Sequence, residues 1–201
     1  MELYIIRHGE TDFNKMGIVQ GRGVDSDLNA MGLQQAKSFY KAYHHISFEK
    51  IYTSSLKRTH QTVDQFIQKG IDWVQLKELD ELDWGVNEGR AATPEMKSEF
   101  HALTRKWMEG ELHLKFPGGE SPIEVNHRQK IAIKKIISEP LQHVLICMHG
   151  RALRLILCEL LNLPLSQMDT FPHSNVSLYR LKYQDGNFEM LDFNNTDHFH
   201  V

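Results

Sequence analysis

Two short apolar runs in this chain each stop abruptly at a histidine that is followed by glycine. The first run is Leu3–Arg7, which leads into His8-Gly9. The second run is His143–Met148, which leads into His149-Gly150. Segments of this length that are apolar at consecutive positions are typical of strands buried on both faces of a parallel sheet. The sequence therefore predicts two central strands that each end at a histidine.

Helical and extended patterns alternate between and after these runs. Strands are also predicted at Lys50–Thr53, Trp73–Leu76, Val176–Tyr183 and Phe188–Phe193, the last two as a hairpin. Helices are predicted after the cap Asn29 and over Leu56–Lys69, Ser121–Ser138 and Leu153–Leu161. Leu33 and Ala36 recur with two tyrosines at helical spacing and are expected to face the core. We expect an α/β three-layer sandwich: a mostly parallel central sheet with an antiparallel edge strand and helices on both faces.

One segment departs from this alternation. The 201 residues suffice for one domain with a sizeable core, and no repeat or low-complexity tract divides them. Residues 88–116 are more polar, and Thr93-Pro94 predicts a helix that ends near Gly110. We therefore expect a single domain over residues 1–201 that carries a lid or insertion at about 88–119.

Charge and hydropathy exclude several classes of protein. The formal net charge is -3 and the basic residues are dispersed, so no basic surface for nucleic acid or for an anionic membrane is indicated. No apolar stretch approaches the roughly 20 residues that cross a bilayer, and the first residues do not predict a signal peptide. We expect a cytoplasmic protein with a small-molecule partner, and the composition is compatible with a homodimer.

Neither the cysteines nor the histidines show the spacing of a metal site. Cys147 and Cys158 are expected to be buried, reduced thiols, because two cysteines are too few for a disulfide framework. The 12 histidines include no His-Glu-x-x-His pattern, and His198-x-His200 lies at a terminus. We therefore expect neither a metal nor another cofactor.

Three polar clusters follow predicted strands. They are Arg7-His8-Gly9, Ser54–Arg58 and His149-Gly150-Arg151. In open α/β sheets, ligands bind beyond the carboxyl ends of the strands, where loops and helix N-termini converge. The sequence therefore predicts one ligand site that is built from these three clusters.

The clusters, together with the segments between them, resemble the histidine phosphatase superfamily, the phosphoglycerate-mutase-like proteins. Six blocks occur in the family's order between about residues 3 and 180: Arg7–Thr11 with Asn14, Asp25–Leu28 with Gly32 and Gln35-Ala36, Ser54–Thr62, Glu81–Gly85 with Glu88-Gly89, Gly118–Ser121, and His149-Gly150 with Leu153-Arg154. Each block alone is a weak signal, whereas the ordered set is specific. The resemblance implies an enzyme that transfers a phosphoryl group through His8.

The residue types in these blocks fit the hydrolysis of a phosphate monoester. A phosphomonoester dianion repels a nucleophile until its oxygens are neutralised, and Arg7 and Arg58 carry planar groups that match phosphate oxygens. Neutral His8 would attack phosphorus and form a phosphohistidine, and His149 would add a donor. Glu81 is the candidate acid that protonates the leaving alcohol, and its carboxylate would then activate water.

Five further residues are expected to bind the substrate, a small phosphorylated metabolite. Gly150 fits a place where backbone approaches the phosphate, and Asn14 offers another hydrogen bond. Gly21-Arg22 stands where the mutases tend to carry Gly-Trp. Arg22 and Glu120 are expected to shape a pocket above the phosphate, together with Trp84 and Asn87.

Other functions stay open alongside the phosphatase. The chain is shorter than the mutases and has little room for their substrate-enclosing insertion and tail, which favours a phosphatase over a mutase. A catalytically silent member that only binds a phosphorylated ligand is disfavoured, because a binding module needs no nucleophile and proton donor together. Asn175 resembles a family position beside the pocket, but a turn residue before a strand explains it nearly as well, so it stays outside the predicted catalytic set.

Overall fold

The computed structural model describes residues 1–200 and contains a six-stranded mixed sheet. The strands are β1 (Glu2–Arg7), β2 (Lys50–Thr53), β3 (Asp72–Gln75), β4 (His143–Met148), β5 (Leu178–Gln184) and β6 (Asn187–Asn195). Their order across the sheet is β3-β2-β4-β1-β5-β6. The first four strands of this order pair in parallel, and β5 is antiparallel to both β1 and β6. The mostly parallel sheet with an antiparallel edge pair is confirmed, and the reversed strand is β5, next to the edge.

Six α-helices accompany the sheet within these residues. They are α1 (Asp12–Met16), α2 (Ala30–Tyr43), α3 (Lys57–Gln68), α4 (Pro94–Met108), α5 (Pro122–Ile137) and α6 (Gly150–Leu160). Short 3-10 turns occupy Lys77–Leu79, Gly85–Asn87, Leu165–Thr170 and Asp197–Phe199. Two helix boundaries follow the capping signals: Asn29 accepts a hydrogen bond from the Gly32 N–H before α2, and Ser121 and Glu124 form a capping box before α5.

Each face of the sheet carries its own hydrophobic core. Because side chains alternate along a strand, Leu3 and Ile5 of β1 point to one face while Tyr4 and Ile6 point to the other. The first face packs against α5 and α6, and the second packs against α2 and α3. Burial on both faces explains why the central strands are continuously apolar. The predicted three-layer sandwich is confirmed.

The prediction that Leu33 faces the core is wrong. Its side chain is 55% exposed, and the buried positions of α2 are Gly32, Ala36 and Phe39. The first turn of α2 packs by its backbone: a Cβ at Gly32 would lie only 2.1 Å from the carbonyl oxygen of Glu10. This close approach turns Gly32 inward, and it leaves the next residue facing solvent.

Two helix starts were not apparent in the sequence. The short helix α1 begins with a capping box in which Thr11 and Asn14 exchange hydrogen bonds. The helix α6 begins at Gly150 rather than at Leu153, because His149 is already the extended residue that precedes its first turn. The helix α6 therefore starts directly after His149, and α1 starts four residues after His8.

The segment 88–119 contains α4, whose largest buried side chain is Trp107. This residue is 1% exposed, and its indole N–H donates to the Leu114 carbonyl at 2.9 Å. Its ring lies 6.1 Å from that of Trp84. That the segment is a lid stays a prediction.

Two further expectations concern the thiols and the membrane. Cys147 and Cys158 are free and buried, as expected. Within residues 1–200, the helices are all too short or too polar to traverse a bilayer.

Replacing Leu145 by alanine tests the central position of β4. This side chain is fully buried, so Leu145→Ala is expected to lower the free energy of unfolding by about 2–5 kcal/mol. The matched control Leu33→Ala, at an exposed leucine, should change it by no more than about 0.5 kcal/mol. Urea denaturation followed by circular dichroism measures both. Equal losses in the two variants would contradict this assignment of the core.

Candidate active site

The two histidines that end the apolar runs lie side by side. His8 follows β1 and His149 follows β4, and these strands pair in parallel with Arg7 opposite Met148. The His8 N–H donates to the Met148 carbonyl at 2.9 Å, and the two imidazole centroids are 5.2 Å apart. Both rings are almost fully buried. The parallel register therefore brings the two histidines into one cluster.

The His8 ring is held in one orientation by its own loop. Its Nδ1 lies 2.7 Å from the Gly9 carbonyl oxygen, which can only accept, so Nδ1 carries the proton and Nε2 keeps its lone pair. Burial, followed by the charges of Arg58 and Arg7, holds the pKa of His8 well below its usual value. The ring is therefore neutral at pH 7, and Nε2 carries the free lone pair.

The Arg58 guanidinium is fixed by neutral acceptors at the start of α3. Its Nη1 donates to the Val24 carbonyl at 2.6 Å and its Nη2 to the Gly21 carbonyl at 3.2 Å. Its Nε donates to Nδ1 of His149 at 3.2 Å. Gly21 thus supports Arg58, and a side chain there is excluded, because a Cβ would lie 2.6 Å from the backbone carbonyl oxygen of Leu82.

His149 connects Arg58 to a residue for which the sequence suggested no role. Because Nδ1 accepts from Arg58, Nε2 carries the proton and donates to Oγ of Ser54 at 2.7 Å. Burial and the Arg58 charge hold the pKa of His149 well below its usual value, so the ring is neutral. A phosphate dianion beside it would favour the protonated form. Ser54 belongs to the predicted second cluster, but only the fold shows that it orients His149.

Arg7 is oriented by a histidine that the sequence analysis missed. Its Nη1 lies 3.3 Å from Nδ1 of His173, and its buried Nε has no hydrogen-bond partner within residues 1–200. Burial and the neighbouring guanidinium of Arg7 lower the pKa of His173 to about 3, so this ring is neutral and accepts from Arg7. Gly150 makes room for it, since a Cβ would lie 2.7 Å from Cε1 of His173. The signal available in the sequence was the position of His173 two residues before Asn175.

The charges of Arg7 and Arg58 have no carboxylate partner within 4.0 Å in residues 1–200, unlike other arginines near the site. Burial lowers the pKa of Arg7 to about 10, which leaves its guanidinium charged at pH 7. A buried charge that no carboxylate contacts favours an anion that binds between the two groups. Ion pairs with Asp or Glu neutralise the others, Arg22, Arg128, Arg151 and Arg154.

Glu81 lies at the N-terminus of α6, the helix that directly follows His149. Its carboxylate accepts backbone N–H groups of Leu82 at 2.8 Å, Arg151 at 3.0 Å and Ala152 at 2.8 Å. The side chain is 7% exposed, and its charge acts on both Arg7 and Arg58. The structure thus places the candidate acid in the same cluster as the candidate nucleophile, although they are far apart in sequence.

Asn14 and Asn175 meet on the other side of His8. The amide of Asn175 donates to the His8 carbonyl at 3.0 Å and lies 3.4 Å from Oδ1 of Asn14. Oδ1 of Asn14 also accepts the Thr11 N–H at 3.2 Å. Asn175, which the sequence left open, therefore supports the loop that carries His8.

Arg22 and Glu120 neutralise each other beside the site. Nη1 of Arg22 lies 3.1 Å from Oε1 of Glu120, and its Nη2 lies 3.6 Å from Asp80. Glu120 also pairs with Arg128 at 3.0 Å. The predicted substrate-binding residues Arg22 and Glu120 thus form an ion-pair network, and they do not line the cavity that Trp84 and Asn87 line.

The described residues offer no obvious metal site. Within residues 1–200, no group of three or more His, Cys, Asp or Glu side chains is arranged to hold a metal ion.

Two unpaired guanidinium groups beside two neutral histidines, at the strand ends of an α/β sheet, indicate a phosphate-binding protein. A sequence profile of the histidine phosphatase superfamily (branch 1) matches residues 3–196. The chain therefore belongs to the histidine phosphatase superfamily, as the order of its motifs predicts.

Relatives within this superfamily carry both mutase and phosphatase names. The probable phosphoglycerate mutase GpmB of Proteus mirabilis is 31% identical over 188 residues, which are 92% of this chain and 86% of that protein. Phosphoserine phosphatase 1 of Hydrogenobacter thermophilus is 28% identical over 200 residues, 98% and 94% of the two chains. The structure of a mycobacterial glucosyl-3-phosphoglycerate phosphatase superposes with a TM-score of 0.86 at 21% identity, over 97% of this chain and 99% of that one. This last similarity supports the fold.

Replacing Arg58 by lysine tests the phosphate site directly. Lysine keeps the positive charge but cannot donate to both loop carbonyls and to His149, so Arg58→Lys should weaken the binding of inorganic phosphate by about tenfold or more. Isothermal titration calorimetry measures the Kd. The exposed neighbour on α3 supplies the control Lys57→Ala, which should bind as the wild type does. Unchanged affinity in a folded Arg58→Lys protein would place the anion elsewhere.

Proposed function

We propose that this protein hydrolyses phosphate monoesters of small metabolites through a phosphohistidine on His8, without a metal ion. The observation that carries the proposal is a neutral imidazole whose Nε2 is free to attack, packed beside two arginines that lack carboxylate partners. The guanidinium groups supply the positive charge that a metal supplies in other phosphatases.

In the first step, the phosphate oxygens bind to Arg7 and Arg58, and Nε2 of His8 attacks phosphorus. The new P–N bond forms as the P–O bond to the alcohol breaks, and protonated Glu81 gives its proton to the leaving oxygen. The Gly9 carbonyl continues to accept Nδ1–H, which stabilises the phosphorylated ring in this tautomer. The products are the free alcohol, phosphohistidine and ionised Glu81.

In the second step, ionised Glu81 accepts a proton from water, whose oxygen attacks the phosphorus. The P–N bond breaks, inorganic phosphate is released, and neutral His8 is regenerated. Glu81 regains in this step the proton that it gave to the alcohol in the first step. The N-terminus of α6 holds the carboxylate of Glu81 in place through two of its backbone N–H groups. One carboxyl group thus serves as acid and then as base.

A mutase is the alternative, because relatives with mutase names cover most of this chain. A mutase must retain its phosphohistidine until a second hydroxyl reacts, which requires shielding from water. A silent phosphate-binding member is disfavoured, because the neutral, oriented nucleophile and Glu81 have no use in binding alone.

Replacing His8 by alanine is expected to remove the nucleophile and to lower kcat by about 10⁴-fold or more. Wild-type protein quenched during turnover of ³²P-labelled substrate should carry acid-labile, base-stable phosphate, and His8→Ala should carry none. The control His127→Ala, at an exposed histidine of α5, should behave as wild type. Activity should persist in EDTA. A fully active His8→Ala protein would rule out the phosphohistidine.

Replacing Glu81 by glutamine separates proton donation from support of α6. An alkoxide needs a proton to leave, whereas 4-nitrophenolate does not. Glu81→Gln should therefore lower kcat for an alkyl phosphate by about 10²-fold or more and affect the first step with 4-nitrophenyl phosphate much less. The control Glu78→Gln, in the same acidic run, should alter neither rate. If Glu81→Gln slowed phosphoenzyme formation equally with both substrates, Glu81 would only hold α6 in place and would not donate a proton.

A further inference from the structure

A cavity of about 260 Å³ lies between α4, the turn around Trp84 and the loop that follows α1. Three of its nine lining residues are polar, namely Gln20, Asn87 and Lys97. The other six are apolar: Val19, Trp84, Ala92, Met96, Phe100 and Phe116. Three of these six are aromatic, so the cavity presents flat rings as well as aliphatic groups.

The cavity adjoins the phosphate site through three chain segments. Gln20, which lines it, donates to Oγ1 of Thr11 at 2.7 Å and directly precedes Gly21, whose carbonyl holds Arg58. Trp84 is three residues beyond Glu81. The Phe100 ring lies 5.7 Å from the guanidinium carbon of Arg151, the residue after Gly150. The cavity is thus bordered by the chain segments that carry Gly21, Glu81 and Arg151.

Three arginines near the phosphate site are already neutralised by carboxylates. Arg22 pairs with Glu120 at 3.1 Å, and Arg151 pairs with Asp169 at 2.6 Å. Arg154 also pairs with Asp169. In the described part of the chain, Lys97 is the one charged side chain that lines the cavity, and it is exposed. A single exposed ammonium group attracts a carboxylate only weakly.

We propose that the alcohol part of the substrate is uncharged and largely apolar, with a planar ring or comparable hydrocarbon group seated against Phe100 and Trp84. Burying such a group removes apolar surface from water, whereas a carboxylate would lose its hydration without gaining an ion pair. Carboxylate-bearing phosphate esters, such as phosphoglycerate and phosphoserine, are therefore poor substrates. This inference rests on the proposed phosphatase activity, and it assigns the substrate class of the same site.

The test compares 2-phenylethyl phosphate with ethyl phosphate and 3-phosphoglycerate on the full-length protein. Both alkyl esters leave as primary alkoxides, so their ratio of kcat/KM reports on the ring alone. We expect kcat/KM for 2-phenylethyl phosphate to exceed each of the other two by about tenfold or more. Faster turnover of 3-phosphoglycerate or of phosphoserine would overturn the proposal.

Substitutions at Phe100 test whether the cavity causes the preference for the phenylethyl ester. Phe100→Ala should lower the ratio of phenylethyl to ethyl kcat/KM by about tenfold, and Phe100→Leu should restore part of it. Phe193→Ala, at a phenylalanine of β6 that is 53% exposed, should leave the ratio unchanged. An unchanged ratio in a folded Phe100→Ala protein would overturn the proposal.

Binding of phosphonates distinguishes failure of this inference from failure of the proposed function. These analogues bind without turnover, so their Kd values can be compared even in a protein that hydrolyses nothing. If the wild type binds 2-phenylethylphosphonate more tightly than ethylphosphonate, and Phe100→Ala binds the two equally, the apolar cavity is supported as a subsite. This result does not depend on whether the protein hydrolyses phosphate esters. Equal affinities would overturn it, whereas absence of turnover and of labelled His8 would overturn only the phosphatase.

Discussion

The parallel pairing of β1 with β4 is the constraint on which the site depends. Their register places Arg7 opposite Met148, so the next residue of each strand, His8 and His149, emerges at the same edge of the sheet. Burial at this edge removes the rings from water and favours their neutral forms. The same pairing thus brings the histidines together as two buried, neutral rings.

Neutral hydrogen-bond acceptors hold Arg7 and Arg58, so the positive charges of both remain available to an anion. Carbonyl groups and a histidine hold the Arg58 guanidinium, and His173 holds that of Arg7, so both are oriented without being cancelled. A carboxylate in either place would compete with phosphate for the same donors. Glu81 avoids such competition because backbone N–H groups satisfy its oxygens.

In contrast to Arg7 and Arg58, the arginine near the apolar cavity has a carboxylate partner. Arg151 is paired with Asp169 and lies over the rings of Phe100 and Trp107, so its charge contributes to the attachment of α4 rather than to binding an anion. The phosphate end of the site is therefore cationic, and the alcohol end is apolar. Within a family that shares the phosphate end, this second region is where substrate preference can differ.

The sequence by itself determined the strand runs, the main helix caps and the three polar clusters at the strand ends, because these depend on local apolar periodicity, capping and short motifs. It also determined the family, since the motifs keep their order. Only the tertiary structure decided that Leu33 faces solvent, that Ser54 and His173 orient the reactive side chains, and that Arg22 is engaged by acids. Each of these depends on contacts between segments distant in sequence, whose geometry no local pattern encodes.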